Sequence, residues 1–586
     1  MTQHRVQTTF GRRTLLTGAG LVTATAALAA CGNNNANNKP SGNSSGPATA
    51  APVNTAGTID NDGILTIGAP VATSNVFPQN FNVFGGGDSA PGNALFWETL
   101  FRISSQNGSK LEPNLAESVT YSEDGKVATY TLRKGVTWND GKPFTSKDVA
   151  FTYGFIFEEP NPEPKEDGTY AWLQKAIETP DEHTVVVTYN QPQFVEDLPL
   201  SLYFPIYPEH IYSQVDRPNY LDKDPVGTGP GKLKAFAGQL ITIEIRDDYW
   251  GEKPAGVKEV HIVPSGTAGN IESQLTQGKV DWSEGGAPGV VTDFVKMDDH
   301  NGYAYYPDGS TRGIIMATHA LPTSDLAVRK ALRDSVDMGI VAQAGRVGYT
   351  VPSVTGLDPI IYASMLKPEY KDALQPNIEA AKKSLADAGW TVQNGNLTKD
   401  GKEYPLLLHI QNDNPIEMST MPIVVDMWKK NLGIDVLFTP LPKEVFGPMQ
   451  AKGECMLSLW TTNAAGGAFQ AFTMYMHTKI YDIGNDKADG NYGRWRMPDA
   501  ANDAIMNIVN TPADQTDKIT EYCQILQDAV ANDAPYIPVQ NSGAGGMFST
   551  KKWSGLKPAA EIDYFPRVGG YNNMVRTVRD FAPTKG

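Results

Sequence analysis

Segments with strand and helix patterns alternate along most of the chain, and this alternation limits its possible folds more than any other feature. β-rich or alternating runs predict strands at residues 64–68, 127–132, 185–189, 240–245, 406–410 and 434–438. Runs with helical spacing predict helices at residues 93–102, 149–157, 271–277, 327–344, 376–390 and 421–431. Such units favour an α/β fold in which mixed sheets carry helices on both faces.

The composition indicates a large globular protein that does not bind nucleic acid. The 586 residues are 40% hydrophobic and 19% charged, so we expect more than one hydrophobic core. The formal net charge is -16, whereas the phosphates of a nucleic acid require clustered Lys and Arg. The sequence contains no basic run of that kind.

The first thirty residues have the order of a bacterial export signal. Arg12 and Arg13 precede an uncharged stretch at 15–30 that is rich in Ala, Leu, Thr and Gly. This stretch is too short to span a bilayer comfortably. The sequence Leu-Ala-Ala-Cys-Gly at 28–32 resembles the lipobox of bacterial lipoproteins, which would make Cys31 the lipidated residue. The paired arginines resemble a twin-arginine signal, and both this route and the general secretory route stay open.

Residues 32–58 are predicted to form a flexible tether. This segment consists largely of Asn, Ser, Gly, Ala and Pro, so it buries too little apolar surface to offset the entropy cost of ordering. A tether after a lipidated cysteine would hold a soluble body away from the membrane. The signal peptide and anchor would then occupy residues 1–31, and the folded part would begin at residue 59.

The sequence offers no convincing catalytic or metal-binding motif. A serine-hydrolase spacing at 42–46 lies inside the tether, and Ser364 and Lys367 lack the companion motifs of penicillin-binding enzymes. The eight histidines form no i, i+4 pair, and no C-x-x-C spacing exists. We therefore expect no enzyme activity, no metal site and no cofactor. Cys455 and Cys523 are either two buried thiols or a disulfide.

A set of short motifs follows the predicted tether in a characteristic order. The motifs lie at 111–119, 124–125, 130–144, 147–149, 225–230, 249–254, 277–281, 328–337 and 380–390. Together they resemble the extracellular solute-binding proteins of family 5, which include the dipeptide- and oligopeptide-binding proteins of ABC importers. Most of these residues also have a structural explanation, because Gly227-Thr228-Gly229-Pro230, for example, suits a tight crossover between domains.

The resemblance implies a two-lobed periplasmic-binding-protein-like fold of type II with an extra inserted domain. The expected parts are lobe I at 59–101, 222–310 and 538–586, the inserted domain at 102–221 and lobe II at 311–537. The lobes would close on a solute and present it to the permease of an ABC transporter. We expect a monomer outside the cell membrane, held there by the lipid on Cys31.

The segment around Trp460 is the first predicted ligand site. It combines an aromatic ring with Thr461, Thr462 and Asn463, which suits a cavity that needs a few fixed polar groups. In peptide-binding relatives an aspartate just after this tryptophan pairs with the α-ammonium group of the ligand, and Asn463 stands near that place. Because an amide lacks the charge for such a bond, the ligand alternatives are a short peptide, an oligosaccharide or a metal chelate.

Two further groups complete the predicted site. Asp88 could supply the missing charge, and Ser89 and Ala90 precede the predicted helix at 93–102, where the resemblance places a strand edge that pairs with peptide backbone. An aromatic-rich group could stack on a ligand and bind its carboxylate, although aromatic residues at such spacing are more often core. Its members are Tyr475, Tyr492, Arg494 and Trp495.

Overall fold

The computed structural model describes the folded part of the chain with gaps. The described residues are 62–69, 76–82, 90–104, 110–158, 174–190, 192–194, 204–217, 219–265, 268–284, 290–345, 351–372, 374–412, 414–461, 472, 481–485, 490–512, 514–558, 561–568 and 573–584. The predicted signal peptide, Cys31 and the predicted tether lie outside them. Within the described ranges, no helix combines the length and apolar character needed to cross a membrane.

Nineteen strands are described. They are β1 (Ile64–Ala69), β2 (Phe101–Ser104), β3 (Lys110–Pro113), β4 (Ala116–Tyr121), β5 (Val127–Leu132), β6 (Gln174–Asp181), β7 (Thr184–Tyr189), β8 (Gly231–Phe236), β9 (Ile241–Ile245), β10 (Glu259–Pro264), β11 (Trp282–Glu284), β12 (Asn301–Met316), β13 (Thr391–Gln393), β14 (Asn396–Lys399), β15 (Lys402–Tyr404), β16 (Leu406–Gln411), β17 (Val436–Leu441), β18 (Leu457–Thr461) and β19 (Tyr536–Ser549).

The described helices lie between and beside these strands. They are α1 (Ser146–Glu158), α2 (Glu209–Tyr212), α3 (Ala268–Thr276), α4 (Val290–Met297), α5 (Leu326–Asp334), α6 (Met338–Gly345), α7 (Ile378–Asp387), α8 (Pro415–Leu432), α9 (Lys443–Ala451), α10 (Asp499–Val509), α11 (Thr516–Asp533) and α12 (Asn573–Asp580), with short 3-10 turns at Asn93–Leu95 and Pro368–Tyr370.

One mixed sheet of ten strands organises the molecule, in the order β17-β16-β18-β12-β19-β11-β1-β10-β9-β8. Two groups of parallel strands lie on either side of its centre: β17, β16 and β18 form one group, and β11, β1 and β10 form the other. The long antiparallel pair β12 and β19 joins the two groups. The α/β class with mixed sheets is therefore confirmed.

A separate four-stranded antiparallel sheet, in the order β4-β5-β7-β6, lies within the range predicted for the inserted domain. Helix α1 packs on this sheet, and Thr145 caps its first turn, because the Thr145 hydroxyl accepts a hydrogen bond from the Lys147 amide at 3.3 Å. The exact bounds of lobe I, lobe II and the inserted domain stay predictions.

Two helix predictions are wrong. The predicted helix at 93–102 contains only a 3-10 turn at Asn93–Leu95 and then enters β2. The nearby backbone explains the change, because a Cβ on Gly227 would lie 1.9 Å from the carbonyl oxygen of Phe96. This close approach fixes the chain by tertiary contact rather than by helical spacing. The predicted helix at 327–344 is two helices, α5 and α6, separated at residues 335–337.

Several of the matched motifs are structural. Trp390 is 2% exposed, and its Nε1 donates to Asp325 Oδ2 at 2.8 Å. Asp325 also caps α5 by accepting from the amide of Ala327. Arg329 donates to the main-chain carbonyls of Thr323 and Asp533. These contacts attach α5 to its neighbours and explain the residues without any role in binding.

Cys455 and Cys523 are both free and buried. The two-thiol alternative is therefore the observed one. Burial raises the pKa of each thiol to about 12, so both stay protonated at neutral pH and have little nucleophilic character.

Candidate functional site

The two groups of parallel strands point their carboxyl ends at the same stretch of β12 and β19. In one group β18 ends at Thr461, which pairs with Arg312. In the other group β11 ends at Glu284, which pairs with Gly546. Both strands run toward the middle of the β12 and β19 pair. Ligands of open α/β sheets bind beyond the carboxyl ends of the strands. The candidate site is therefore the segment between these two pairings, which comprises residues 304–312 of β12 and 540–546 of β19 and is called the crossing below.

The pairing of β12 with β19 is broken at the crossing. Pro307 pairs with Gly543 and Thr311 with Asn541, so three residues of β12 oppose one residue of β19. Gly309 adopts a φ of 77° in this bulge, and a Cβ there would lie 2.8 Å from the hydroxyl of Tyr362. A bulge of this kind bends the strand and redirects its side chains.

An aromatic pair lies beside the crossing. Trp460, at the end of β18, meets Tyr492 edge to face with ring centroids 5.0 Å apart. Tyr492 is 8% exposed, and the Trp460 Nε1 is buried without a hydrogen-bond partner in the described structure. A buried indole N–H usually has a partner, and the Nε1 atoms of Trp97, Trp138 and Trp282 are likewise buried without one in the described structure.

Two ion pairs flank the bulge. Asp308 pairs with Arg567, and Arg312 pairs with Glu417. Arg312 and Glu417 are 15% and 12% exposed at their side chains, so this pair is largely removed from solvent, whereas Asp308 is 4% exposed and its partner Arg567 is 38% exposed. Each arginine keeps a buried Nε without a partner among the described residues. The crossing therefore carries charged groups whose hydrogen-bonding capacity is not exhausted.

A further polar group lies on the loop that closes over the bulge. The Thr311 hydroxyl donates to the carbonyl of Gly356 at 2.6 Å, and Asp358 follows two residues later. Asp358 is fully buried, and its Oδ2 has no partner in the described part of the chain. Burial, together with a smaller contribution from the nearby Asp308, raises the pKa of Asp358 to about 6.

The described members of the predicted aromatic-rich group do not share one site. Tyr492 reaches Trp460, but Arg494 is buried and donates to the carbonyls of Asp482, Asn491, Ala451 and Asn485. Trp495 is a core residue whose Nε1 donates to Asp533 Oδ2 at 3.1 Å. These contacts favour structural roles for Arg494 and Trp495, and among the described members of the group Tyr492 is the one that contacts Trp460.

Of the remaining predicted ligand residues, Thr461 and Ala90 are among the residues that the structure describes. Thr461 lies at the crossing opposite Arg312. Ala90 is buried, and its amide donates to the carbonyl of Asn80 at 2.6 Å. Five predicted residues lie outside the described residues, namely Asp88, Ser89, Thr462, Asn463 and Tyr475. Their roles stay predictions.

Sequence reasoning missed Arg312, Asp308, Asp358 and Gln540, which is the buried cross-strand partner of Arg312. One signal was present, because Arg312 precedes the apolar run Gly313-Ile314-Ile315-Met316, and a charged residue leading into a strand of that kind requires a partner. Its partner Glu417 is distant in sequence, so the pairing was not visible. Gln540 and Asp358 carry no local signal of a binding role.

The profile of the bacterial extracellular solute-binding proteins, family 5 Middle, matches residues 110–482. Among characterised proteins, the oligopeptide-binding protein AppA of Bacillus subtilis (strain 168) is 26% identical over 446 residues, covering 72% of this chain and 77% of the relative. Heme-binding protein A of Haemophilus influenzae is 27% identical over 469 residues, covering 74% of this chain and 79% of the relative.

The fold is also similar to solved structures. The periplasmic oligopeptide-binding protein of an oligopeptide ABC transporter from Thermotoga maritima superposes with a TM-score of 0.80 at 21% identity, covering 90% of this chain and 100% of that chain. A second structure of that protein, bound to mannohexaose, gives a TM-score of 0.74. These likenesses confirm the periplasmic-binding-protein-like fold.

Proposed function

Because the chain belongs to the bacterial extracellular solute-binding proteins of family 5, we propose that it captures a short peptide between its two lobes and delivers it to an ABC importer. The observation that carries the proposal is the crossing itself. Both groups of parallel strands end there, beside an aromatic pair and several buried polar atoms without partners. Such a mixture of apolar walls and a few polar groups is what a small-solute site requires.

Lobe closure would act through β12 and β19, which join the two halves of the sheet. The proposed limits at residues 310/311 and 537/538 fall within or beside these strands. The bulge at Asp308 to Ser310 would let the two halves rotate without breaking every backbone hydrogen bond of the pair. A ligand held by residues from both halves would then favour the closed state.

An oligosaccharide is the second candidate ligand. Two observations favour it: the mannohexaose-bound structure of the Thermotoga maritima relative, and the neutral amide of Asn463 where peptide-binding relatives carry an acid. A metal chelate is third. No group of three or more His, Cys, Asp or Glu in the described residues could hold a metal ion by itself.

The test is a thermal-shift and calorimetric comparison of pooled tri- to hexapeptides with mannohexaose. A ligand that binds the folded state alone raises Tm by mass action, and we expect the peptide pool to give the larger shift. Trp460→Ala should weaken peptide binding at least tenfold while leaving the circular dichroism spectrum unchanged. A shift with mannohexaose and none with the peptides would replace the proposed cargo by an oligosaccharide.

We also propose that Cys31 is lipidated and anchors the protein outside the cell membrane. The support is the order of basic, apolar and small residues before Cys31 and membership of an extracellular family. Expression of the full chain in a bacterial host should place it in the membrane fraction. Cys31→Ser should move it to the medium or periplasm, and equal fractionation of the two forms would contradict the anchor.

A further inference from the structure

Two buried carboxylates with unequal partners lie at the bulge of β12. Asp308 belongs to the bulge, where its Oδ1 accepts from the amide of Ser310 at 2.9 Å and its Oδ2 pairs with Arg567. Asp358 is fully buried, and its Oδ1 accepts from the amide of Ile360 at 2.8 Å. Its Oδ2 has no partner among the described residues. Asp308 therefore has a cation beside it, whereas Asp358 keeps an unsatisfied oxygen.

The segment that carries Asp358, residues 353–362, is attached to β12 and β19 by hydrogen bonds from both strands. The Thr311 hydroxyl donates to the carbonyl of Gly356 at 2.6 Å, and the Tyr536 hydroxyl donates to the carbonyl of Thr355 at 2.7 Å. Burial raises the pKa of Tyr536, so this hydroxyl keeps its proton at neutral pH. Neither hydrogen bond therefore changes with pH in the physiological range.

The elements at this contact carry several other ionisable groups. They are Asp308 and Arg312 on β12, Tyr362 on the segment itself, Glu417 on α8, Tyr536 on β19 and Arg567 near the end of the chain. The arginines and tyrosines keep their protons at neutral pH. Burial first, and the charge of Asp308 after it, raise the pKa of Asp358 to about 6. Asp358 therefore changes its charge between about pH 5 and about pH 7.

We propose that the contact between the segment 353–362 and the bulge of β12 is proton-sensitive, because protonated Asp358 holds the segment in place and ionised Asp358 favours its release. The protonated carboxyl is neutral, so its burial costs little and its hydroxyl can donate a hydrogen bond. The ionised carboxyl places a second negative charge near Asp308, and desolvation makes that charge costly.

The location of the contact gives the proton a mechanical consequence. The segment belongs to predicted lobe II and the bulge to predicted lobe I, so release of the segment removes one restraint on rotation of the two halves. A rise in pH would thereby loosen the contact that joins them. This consequence rests on the proposed function, whereas the proton-sensitive contact itself does not.

Hydrogen exchange measured by mass spectrometry tests the contact without any ligand. The full chain, as wild type, Asp358→Asn and Asp281→Asn, is compared at about pH 5 and about pH 7.5, with each rate corrected for intrinsic exchange. Asp281 is the matched control, because it is also buried and has a pKa raised to about 6. Its carboxylate accepts instead from the amide of Thr66 in β1. Circular dichroism and Tm verify that each variant is folded.

We expect peptides from the segment 353–362 of the wild type to be about tenfold better protected at the lower pH. The reason is that the pKa of Asp358 falls from about 6 toward its ordinary value of 3.8 when the segment opens to water. Asp358→Asn should remove this difference, and Asp281→Asn should keep it.

Three results would overturn the inference. They are equal protection at both pH values in the wild type, an undiminished pH effect in Asp358→Asn, and loss of the effect in Asp281→Asn, which would make it a property of global stability. Because no solute is added, a negative result here leaves the proposed peptide cargo untouched, and failure of the peptides to bind leaves this contact untouched.

Discussion

Arg494 and Arg312 lie in two neighbouring regions of the same half of the molecule, and they use the same side chain in opposite ways. Arg494 is 2% exposed and donates to four main-chain carbonyls of the loops around it. Arg312 is also largely buried, but it has one carboxylate partner and a buried Nε without any partner among the described residues. Residue type alone therefore does not show how completely a buried arginine is hydrogen-bonded.

The difference lies in how completely each guanidinium is satisfied. A buried polar group without a partner costs free energy. The same contrast separates Trp495, whose N–H donates to Asp533, from Trp460, whose N–H has no partner in the described structure. The hydrogen-bond partners in the structure therefore distinguish residues that were all predicted from the sequence to contact the ligand.

The largest effect on stability is expected when Arg494, whose guanidinium donates to four main-chain carbonyls, is replaced. Arg494→Met removes the side-chain donor to four carbonyls, of which that of Asn491 still accepts from the backbone amide of residue 494, and should lower the free energy of unfolding by about 3–5 kcal/mol, measured by urea denaturation. Arg496→Met is the matched control, because Arg496 is exposed and lies over the ring of Tyr481, and it should cost under about 1 kcal/mol. A cost for Arg494→Met as small as that of the control would refute its structural role.

An intermediate effect is expected at Asp358, whose Oδ2 is unpaired in the described structure. Its pKa is raised from 3.8 to about 6 on folding, so the folded state binds the proton more tightly. This group therefore makes the protein less stable as pH rises from about 4 to about 6, by roughly 3 kcal/mol in total. The loss stays constant at higher pH.

Asp358→Asn removes this pH dependence and keeps an oxygen to accept from the amide of Ile360. The variant should match the wild type near pH 4 and be more stable by up to about 3 kcal/mol near pH 8, measured by urea denaturation at both pH values. Asp124→Asn is the control, because a hydrogen bond from Ser122 lowers the pKa of Asp124, so its effect has the opposite sign. A stability difference that does not change with pH would contradict the assignment.

The smallest effects separate the two tryptophans. Trp495→Phe loses a hydrogen bond to a carboxylate and should destabilise the ligand-free protein by about 1–2 kcal/mol more than Trp460→Phe, which loses none. Trp460→Phe should instead weaken peptide binding measured by calorimetry. If both substitutions destabilise the ligand-free protein equally, the hydrogen bond of the Trp495 N–H does not contribute more to stability than the unpaired Trp460 N–H.

The sequence predicted the elements whose signals are local. Strands β1, β5, β7, β9 and β16 and helices α1, α3, α7 and α8 lie at or near the predicted ranges, because alternation and helical spacing mark them locally. The ordered motifs predicted the family and the fold class, because most of them mark packing contacts such as those of Trp390 and Arg329.

The long strands β12 and β19 were not predicted, and physical reasons explain why. Pro307, Gly309, Gly543 and Gly545 lie inside them, and such residues disfavour a strand when each segment is read alone. Pairing between the two segments, more than two hundred residues apart in the register, overrides the local preference. The candidate site was not predictable from local sequence for the same reason, because the Arg312–Glu417 and Asp308–Arg567 pairs also join segments that are distant along the chain.

The sequence by itself determined the α/β class and the family, since the periodic segments and the ordered motifs that indicate them each consist of residues close together along the chain, whereas the export signal stays a prediction. Tertiary structure alone decided which polar side chains meet at the crossing and which of them remain unsatisfied. Hydrogen-bond partners are set by distances in space, and a chain of this length brings together residues whose separation in sequence carries no information about their contact.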